Sequence, residues 1–300
     1  MRSLAITSQI HQPESHFVTA PDGLKLHARA YGPRVSCGWP VVCLPGLSRT
    51  SADFETLALA LSRDEARPRR VLALDYRGRG RSEHDRNPKN YSFPVELADV
   101  LAVLTALAAL PAVFAGTSRG GILTMLLAAA RPTAIAGVIL NDIGPVIEPK
   151  GLMRIRGYVG KLPAPNNFEE GADILRRLFS AQFPRLTQAD WLAAARRSWE
   201  ERSGRLVPTY DPRLAKILKG IDLQRPLLPL WAQFDGLARV PIMVIRGANS
   251  DILSMATVEA MKARRPDLEV VEVADQGHAP WLEDAALIAR IAAFIARCDG

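Results

Sequence analysis

The chain has 300 residues, 48% hydrophobic and 23% charged, which suits one large domain or a core domain carrying a sizeable insertion. Its net charge of +7 comes from 38 Lys and Arg residues that are scattered, with the densest groups at Arg67 to Arg70 and Arg77 to Arg81; neither matches a nucleic-acid motif, so a solvated basic surface is expected and nucleic acid is not an expected partner. Three cysteines, Cys37, Cys43 and Cys298, make neither a disulfide framework nor a paired C-x-x-C metal spacing; the N-terminal MRSLAITSQIHQPESH has no apolar h-region, and no stretch reaches 18 apolar residues, so a cytoplasmic protein without membrane association is expected.

His16 to Ala20 and Leu24 to Tyr31 read as two strands joined by the turn Pro21-Asp22-Gly23. Pro40 to Leu44 is a short continuous apolar run, as a strand buried on both faces requires, and it ends in Pro45-Gly46-Leu47-Ser48. A helix follows from about Ser51 to Leu61, then a buried strand Val71 to Leu74 that runs into the polar loop Asp75-Tyr76-Arg77-Gly78-Arg79-Gly80-Arg81-Ser82. Phe93 to Leu107 has apolar residues at helical spacing. Next come a strand at Val113 to Ala115, a helix to about Ala130, and the buried strand Ala136 to Leu140, ending at Asn141-Asp142.

From Ile143 to about Leu237 the buried strand runs stop, and helical patterns and prolines replace them: Leu152 to Val159, Phe168 to Phe179, Ala189 to Glu201 and Pro212 to Leu218. Residues 143–237 therefore read as an all-helical cap inserted into a core made of 1–142 and 238–300. Strand and helix alternation resumes at Val240 to Ile245, with a helix near Thr257 to Ala263, a strand Leu268 to Val273 and a last amphipathic helix Ala285 to Arg297. This alternation implies an α/β fold with a mostly parallel central sheet flanked by helices.

Parallel sheets place ligands at the carboxyl ends of their strands. The polar residues at those ends include Asp75, Ser118, Asn141-Asp142, Asn249-Ser250-Asp251 and Gln276-Gly277-His278. Ser118 is the centre of G-x-S-x-G, Gly116 to Gly120, placed between a strand and a helix, where the turn pushes its Oγ out at the sheet end. A serine hydroxyl needs a base, and the base needs an orienting carboxylate. Ser118, Asp251 and His278 occur in that order, each just after a strand.

These motifs resemble the α/β-hydrolase superfamily. G-T-S-R-G-G at the elbow, S-D-I-L after a late strand, G-H-A-P after the last strand and D-Y-R-G-R-G-R-S after the fourth strand cover nearly the whole chain in the family's order. The resemblance implies Ser118 as nucleophile, His278 as general base and then acid, and Asp251 as the orienting acid, with Asp142 as competitor because some members draw the acid from the strand before the cap. It also implies an oxyanion hole from the backbone N–H groups of Leu47 and Arg119. The Arg119 side chain is a candidate contact for a substrate carboxylate, against pairing with a nearby acid. The Asp75 to Ser82 loop is expected to be structural. Trp191, Trp199, Tyr158, Phe179 and Phe183 are expected to build the cap core, with one or two facing the pocket.

The resemblance thus implies a serine hydrolase of a small carboxylic ester or lactone, with no metal or organic cofactor. A C–C hydrolase of a dienoic ring-cleavage product, a cofactor-free perhydrolase and a hydrolase-like ligand-binding receptor are the alternatives. The substrate, the cap residues that line the pocket and the oligomeric state are left open.

Overall fold

The computed structural model describes residues 12–220, 222 and 227–299. Most of the N-terminal stretch read above for a leader, residues 1–11, lies outside the described residues. In chain order the core elements are β1 (Glu14–Thr19), β2 (Lys25–Tyr31), β3 (Val41–Leu44), α1 (Glu55–Ser62), β4 (Val71–Asp75), α2 (Phe93–Ala106), β5 (Ala112–Thr117), α3 (Arg119–Ala130) and β6 (Ile135–Asn141). Then follow α4 (Pro149–Tyr158), α5 (Phe168–Phe179), α6 (Gln188–Ser198), β7 (Trp199–Arg202), β8 (Arg205–Pro208), α7 (Ala215–Lys219) and α8 (Trp231–Asp235). The core resumes with β9 (Ile242–Gly247), α9 (Met255–Arg264), β10 (Glu269–Val273) and α10 (Ala285–Arg297).

Eight strands form one sheet in the order β1-β2-β4-β3-β5-β6-β9-β10. The β1–β2 and β2–β4 pairs are antiparallel and the other pairs are parallel. Every residue of β3 and β4 is buried, as the unbroken apolar runs require. Alternation along the strands divides these residues between two cores. Val42, Leu44, Leu72, Leu74 and Phe114 face one layer with α2 and α3. Val41, Cys43, Val71, Ala73 and Val113 face the other, where α1 and the apolar stripe Leu287, Ile291, Phe294 and Ile295 of α10 cover them. Each such fully buried large side chain contributes about 1.5–3 kcal/mol. The chain passes from β3 outward to β4 and back across to β5, so strand order reverses at β3. That switch point brings the loop after β3 beside the turn after β5.

The segment between β6 and β9 is not helical throughout, which corrects the all-helical expectation for 143–237. Helix α6 stops at Ser198, and Trp199 turns extended (φ −128°, ψ 151°) to begin a β7–β8 hairpin. Its turn residues Ser203 and Gly204 both have positive φ (51° and 74°), the geometry that two-residue hairpin loops require. Trp199 is buried with Ala172, Leu175, Phe183, Trp191 and Ala195 in a third apolar cluster. Burial of that indole within a closed hairpin outweighs the weak preference for one more helical turn. Neither strand joins the central sheet.

Candidate active site

Ser118 sits between β5 and α3 with φ 52° and ψ −111°, a conformation that costs a non-glycine residue on the order of 1–3 kcal/mol. The flanking glycines are dictated by close approach. A Cβ on Gly120 would lie 2.0 Å from the Leu44 carbonyl oxygen, and one on Gly116 would lie 2.5 Å from the Gly121 nitrogen. The Ser118 N–H donates to the Asn141 carbonyl (3.0 Å), so the turn is tied to the end of β6.

His278 approaches from the loop after β10. Its Nε2 lies 2.9 Å from Ser118 Oγ, and its Nδ1 lies 2.7 Å from Asp142 Oδ2. The carboxylate can only accept, so Nδ1–H donates to it and Nε2 is left to accept the Ser118 hydroxyl proton. The His278 side chain is 6% exposed and that of Asp142 is fully buried.

The carboxylate that meets His278 Nδ1 is therefore that of Asp142, where Asp251 was expected. Asp142 directly follows β6, and its N–H donates to the Ile245 carbonyl (2.7 Å), extending the β6–β9 ladder by one bond. Its positive φ of 56° then turns the carboxylate over the end of β9. There Oδ1 accepts the Gly247 N–H (2.8 Å), and Oδ2 accepts the Ser250 hydroxyl (2.6 Å) as well as His278. Asp251 is engaged elsewhere. Arg154 of α4 forks onto it, Nε to Oδ2 at 2.6 Å and Nη2 to Oδ1 at 2.8 Å. Burial pushes the Asp251 carboxyl up, but the Arg154 guanidinium, joined by Gln182 and His278, holds it below its ordinary value. Helix α4 presses close here: a Cβ on Gly151 would lie 2.5 Å from the Asp251 carbonyl oxygen.

The Arg119 side chain also departs from expectation as a substrate contact. It is 6% exposed and turned into the protein, where Nε donates to Glu96 Oε2 (2.5 Å) and Nη2 to the Tyr91 carbonyl (3.2 Å). Its guanidinium lies 4.1 Å from the Phe93 ring centroid. The backbone of Arg119 is the first position of α3, where N–H groups are free to receive an anion. Leu47, across the β3–β5 switch point, lines the cavity in front of Ser118. Among the described residues, neither of these two N–H groups donates to a protein acceptor.

A cavity of about 150 Å³ opens in front of Ser118 and His278. Tyr158, Leu175, Phe179, Phe183 and Trp191 give it an apolar wall from the inserted segment, whereas Trp199 is not among its lining residues. Arg49, Asp53, Arg197 and Glu283 line a charged part of it. These charges are paired: Arg49 forks onto Asp53 (2.6 and 2.5 Å), and Arg197 reaches Glu283 (2.6 Å) with its guanidinium 4.7 Å from the Trp281 ring centroid. Asn141 had no assigned role in the sequence. Its Nδ2 donates to the Pro280 carbonyl and to Thr117 Oγ1, each at 3.0 Å, and so fastens the loop that carries His278.

A family model described as the alpha/beta hydrolase family matches residues 41–291. The chain belongs to the alpha/beta hydrolase family. Among its relatives, this alpha/beta hydrolase is 35% identical over 291 residues to a 3-hydroxybutyrate-oligomer hydrolase of Cupriavidus necator, covering 92% of this chain and 96% of that protein. It is 25% identical over 234 residues to a 2-(acetamidomethylene)succinate hydrolase of Mesorhizobium japonicum, covering 78% of this chain and 79% of that one. The crystal structure of an alpha/beta hydrolase from Novosphingobium aromaticivorans superposes with a TM-score of 0.88 at 39% identity, covering 96% of this chain and 100% of that chain. Among the described residues, no helix is long and apolar enough to cross a membrane.

Proposed function

We propose that this alpha/beta hydrolase cleaves a small carboxylic ester through an acyl-enzyme on Ser118, and that its substrates are short esters of hydroxy acids. The observation that carries the reading is the unbroken chain Ser118 Oγ, His278, Asp142 at 2.9 and 2.7 Å, opening onto the cavity. In the first step Oγ attacks the ester carbonyl carbon while its proton passes to His278 Nε2. The oxyanion that forms is received by the backbone N–H groups of Leu47 and Arg119, each worth roughly 3–4 kcal/mol in the transition state. The alcohol leaves with the proton from His278. Water, deprotonated by the same nitrogen, then attacks the acyl carbon, and the acid departs as Ser118 recovers its proton. Every group used is a side chain or backbone amide of this chain, so the scheme calls on no metal or organic cofactor.

The substrate class is supported by the near full-length likeness to an enzyme named for 3-hydroxybutyrate oligomers. It is also supported by a cavity that places apolar side chains beside paired charges. The segment 143–237 acts in this reading as a cap that keeps bulk water from the acyl-enzyme. The test is a panel of p-nitrophenyl esters, a lactone and the 3-hydroxybutyrate dimer, run with and without a serine-directed fluorophosphonate. Turnover of the esters, abolished by one equivalent of label on Ser118, supports the proposal. Labelling of Ser118 without turnover of any ester or lactone points to a ligand-binding role, and absence of labelling removes Ser118 as the nucleophile.

A further inference from the structure

Two arginines outside the relay converge on one buried carboxylate. Glu96, on α2, is fully buried. Its Oε1 accepts Arg79 Nη1 at 2.7 Å, and its Oε2 accepts Arg119 Nε at 2.5 Å. Arg79 is itself fully buried, and its Nε donates to the carbonyl of Leu47 at 2.8 Å. Its Nη1 also donates to the Arg77 carbonyl at 2.7 Å. Burial by itself pushes the Glu96 carboxyl up, but Arg119 and Arg79 together bring it below its ordinary value. One ionised carboxylate thus holds two side chains. One belongs to the residue that immediately follows the nucleophile, and the other grips the backbone of the loop facing it.

A buried charge cluster is an expensive way to fill a core, because several kcal/mol of hydration are lost per ion and apolar packing of the same volume serves stability as well or better. Fixed directions between charged groups are what a cluster supplies and an apolar core does not. The two ends of this cluster are Leu47, which lines the cavity, and Arg119, which directly follows Ser118 at the start of α3. Leu47 lies in an irregular loop, whereas Arg119 begins a helix, so their separation is not set by any shared secondary structure.

We propose that Glu96, through Arg79 and Arg119, is a positioning residue that fixes the spacing of the Leu47 and Arg119 backbone N–H groups so that both meet the same oxyanion. This rests on the ester-hydrolase reading above. Donors for a developing charge must be held to within about 0.5 Å of their productive geometry. A hole that must reorganise during the reaction loses much of its stabilisation of the transition state. The brace therefore acts on the transition state and leaves binding of the uncleaved ester largely alone.

Arg119→Met and Arg79→Met test the two arms separately. Each leaves Glu96 paired with the remaining arginine, so no lone charge stays buried, and each retains the backbone amides. Both are expected to fold and to lower kcat by about ten- to a hundredfold with KM changed less than about threefold, a fraction of the 10²–10³ lost when an oxyanion donor is removed outright. Affinity for an alkyl boronic acid, which forms a tetrahedral adduct on Ser118, should fall by the same factor as kcat/KM. Asp99→Asn is the control. It breaks an equally buried fork onto Arg77 (2.6 Å for both bonds) that touches neither Leu47 nor Arg119, and it should lower Tm without changing boronate affinity. If the arm that folds keeps wild-type boronate affinity, or loses no more than Asp99→Asn does, the brace is wrong. If wild-type protein takes neither fluorophosphonate nor boronate on Ser118, the hydrolase reading falls first and the brace with it.

Discussion

The imidazole of His278 takes its carboxylate partner from Asp142, 136 residues earlier in the chain, across a 2.7 Å hydrogen bond to an oxygen that also accepts the Ser250 hydroxyl. The carboxylate bonded to His278 thus precedes the inserted segment instead of following it. Asp142→Asn should lower kcat by roughly 10⁴, because an amide at that place can offer an N–H to Nδ1 and favour the wrong tautomer. Asp251→Asn should cost less than about tenfold in kcat, since its carboxylate serves Arg154. Steady-state kinetics of the two variants on one ester decide the matter, and a larger loss for Asp251→Asn would return the acid to the turn after β9.

Ser118→Ala should leave the fold intact and abolish turnover. Alanine occupies the same turn, while the nucleophile and the proton path to His278 are both lost. Activity above roughly a thousandth of wild type would be incompatible with an acyl-enzyme, since it exceeds what oxyanion binding alone leaves behind.

The fork between Arg154 and Asp251 should make attachment of α4 dependent on acid. The folded-state carboxyl is held below its ordinary value of 3.8. Its stabilising contribution is therefore complete above 3.8 and is lost as pH falls through the lower folded value. Wild type should exceed Arg154→Met in Tm at neutral pH, and the difference should shrink on acidification below that range. A difference that grows as pH falls would mean that the fork does not stabilise the fold through the ionised carboxylate.

Phe179 lines the cavity and meets Tyr158 edge-on, with ring centroids 5.2 Å apart. Phe179→Ala should lengthen the acyl chain that the enzyme accepts. Across p-nitrophenyl acetate, butyrate and hexanoate, kcat/KM should shift toward the longer members by several-fold, consistent with about 0.8 kcal/mol per buried methylene. An unchanged profile would place the acyl chain against another wall.

The central sheet was legible because β3 and β4 are buried on both faces, and such strands cannot be written without unbroken apolar runs. The elbow was legible because Gly116 and Gly120 leave no room for a Cβ, which writes a steric constraint directly into residue type. The choice between Asp142 and Asp251 was not, since each lies in the turn that follows a strand. What separates them is Arg154, 97 residues from Asp251, and a positive φ at Asp142 that residue type does not announce. Arg119 misled for a similar reason: adjacency to Ser118 says nothing of rotamer, and its side chain turns to Glu96, 23 residues upstream. The hairpin had a readable signal in Ser203-Gly204, overshadowed by the helical spacing before it.

Ser250 and Asp251 are neighbours in sequence but bond to different elements: the Ser250 hydroxyl donates to Asp142, and the Asp251 carboxylate accepts the fork from Arg154 of α4. The turn after β9 is therefore a lever one peptide unit long. A displacement of α4 that keeps its fork intact pulls on Asp251, and through a single backbone link on the hydroxyl that steadies the acid. The anchor of α4 and the carboxylate that meets His278 thus draw on two consecutive residues of one turn.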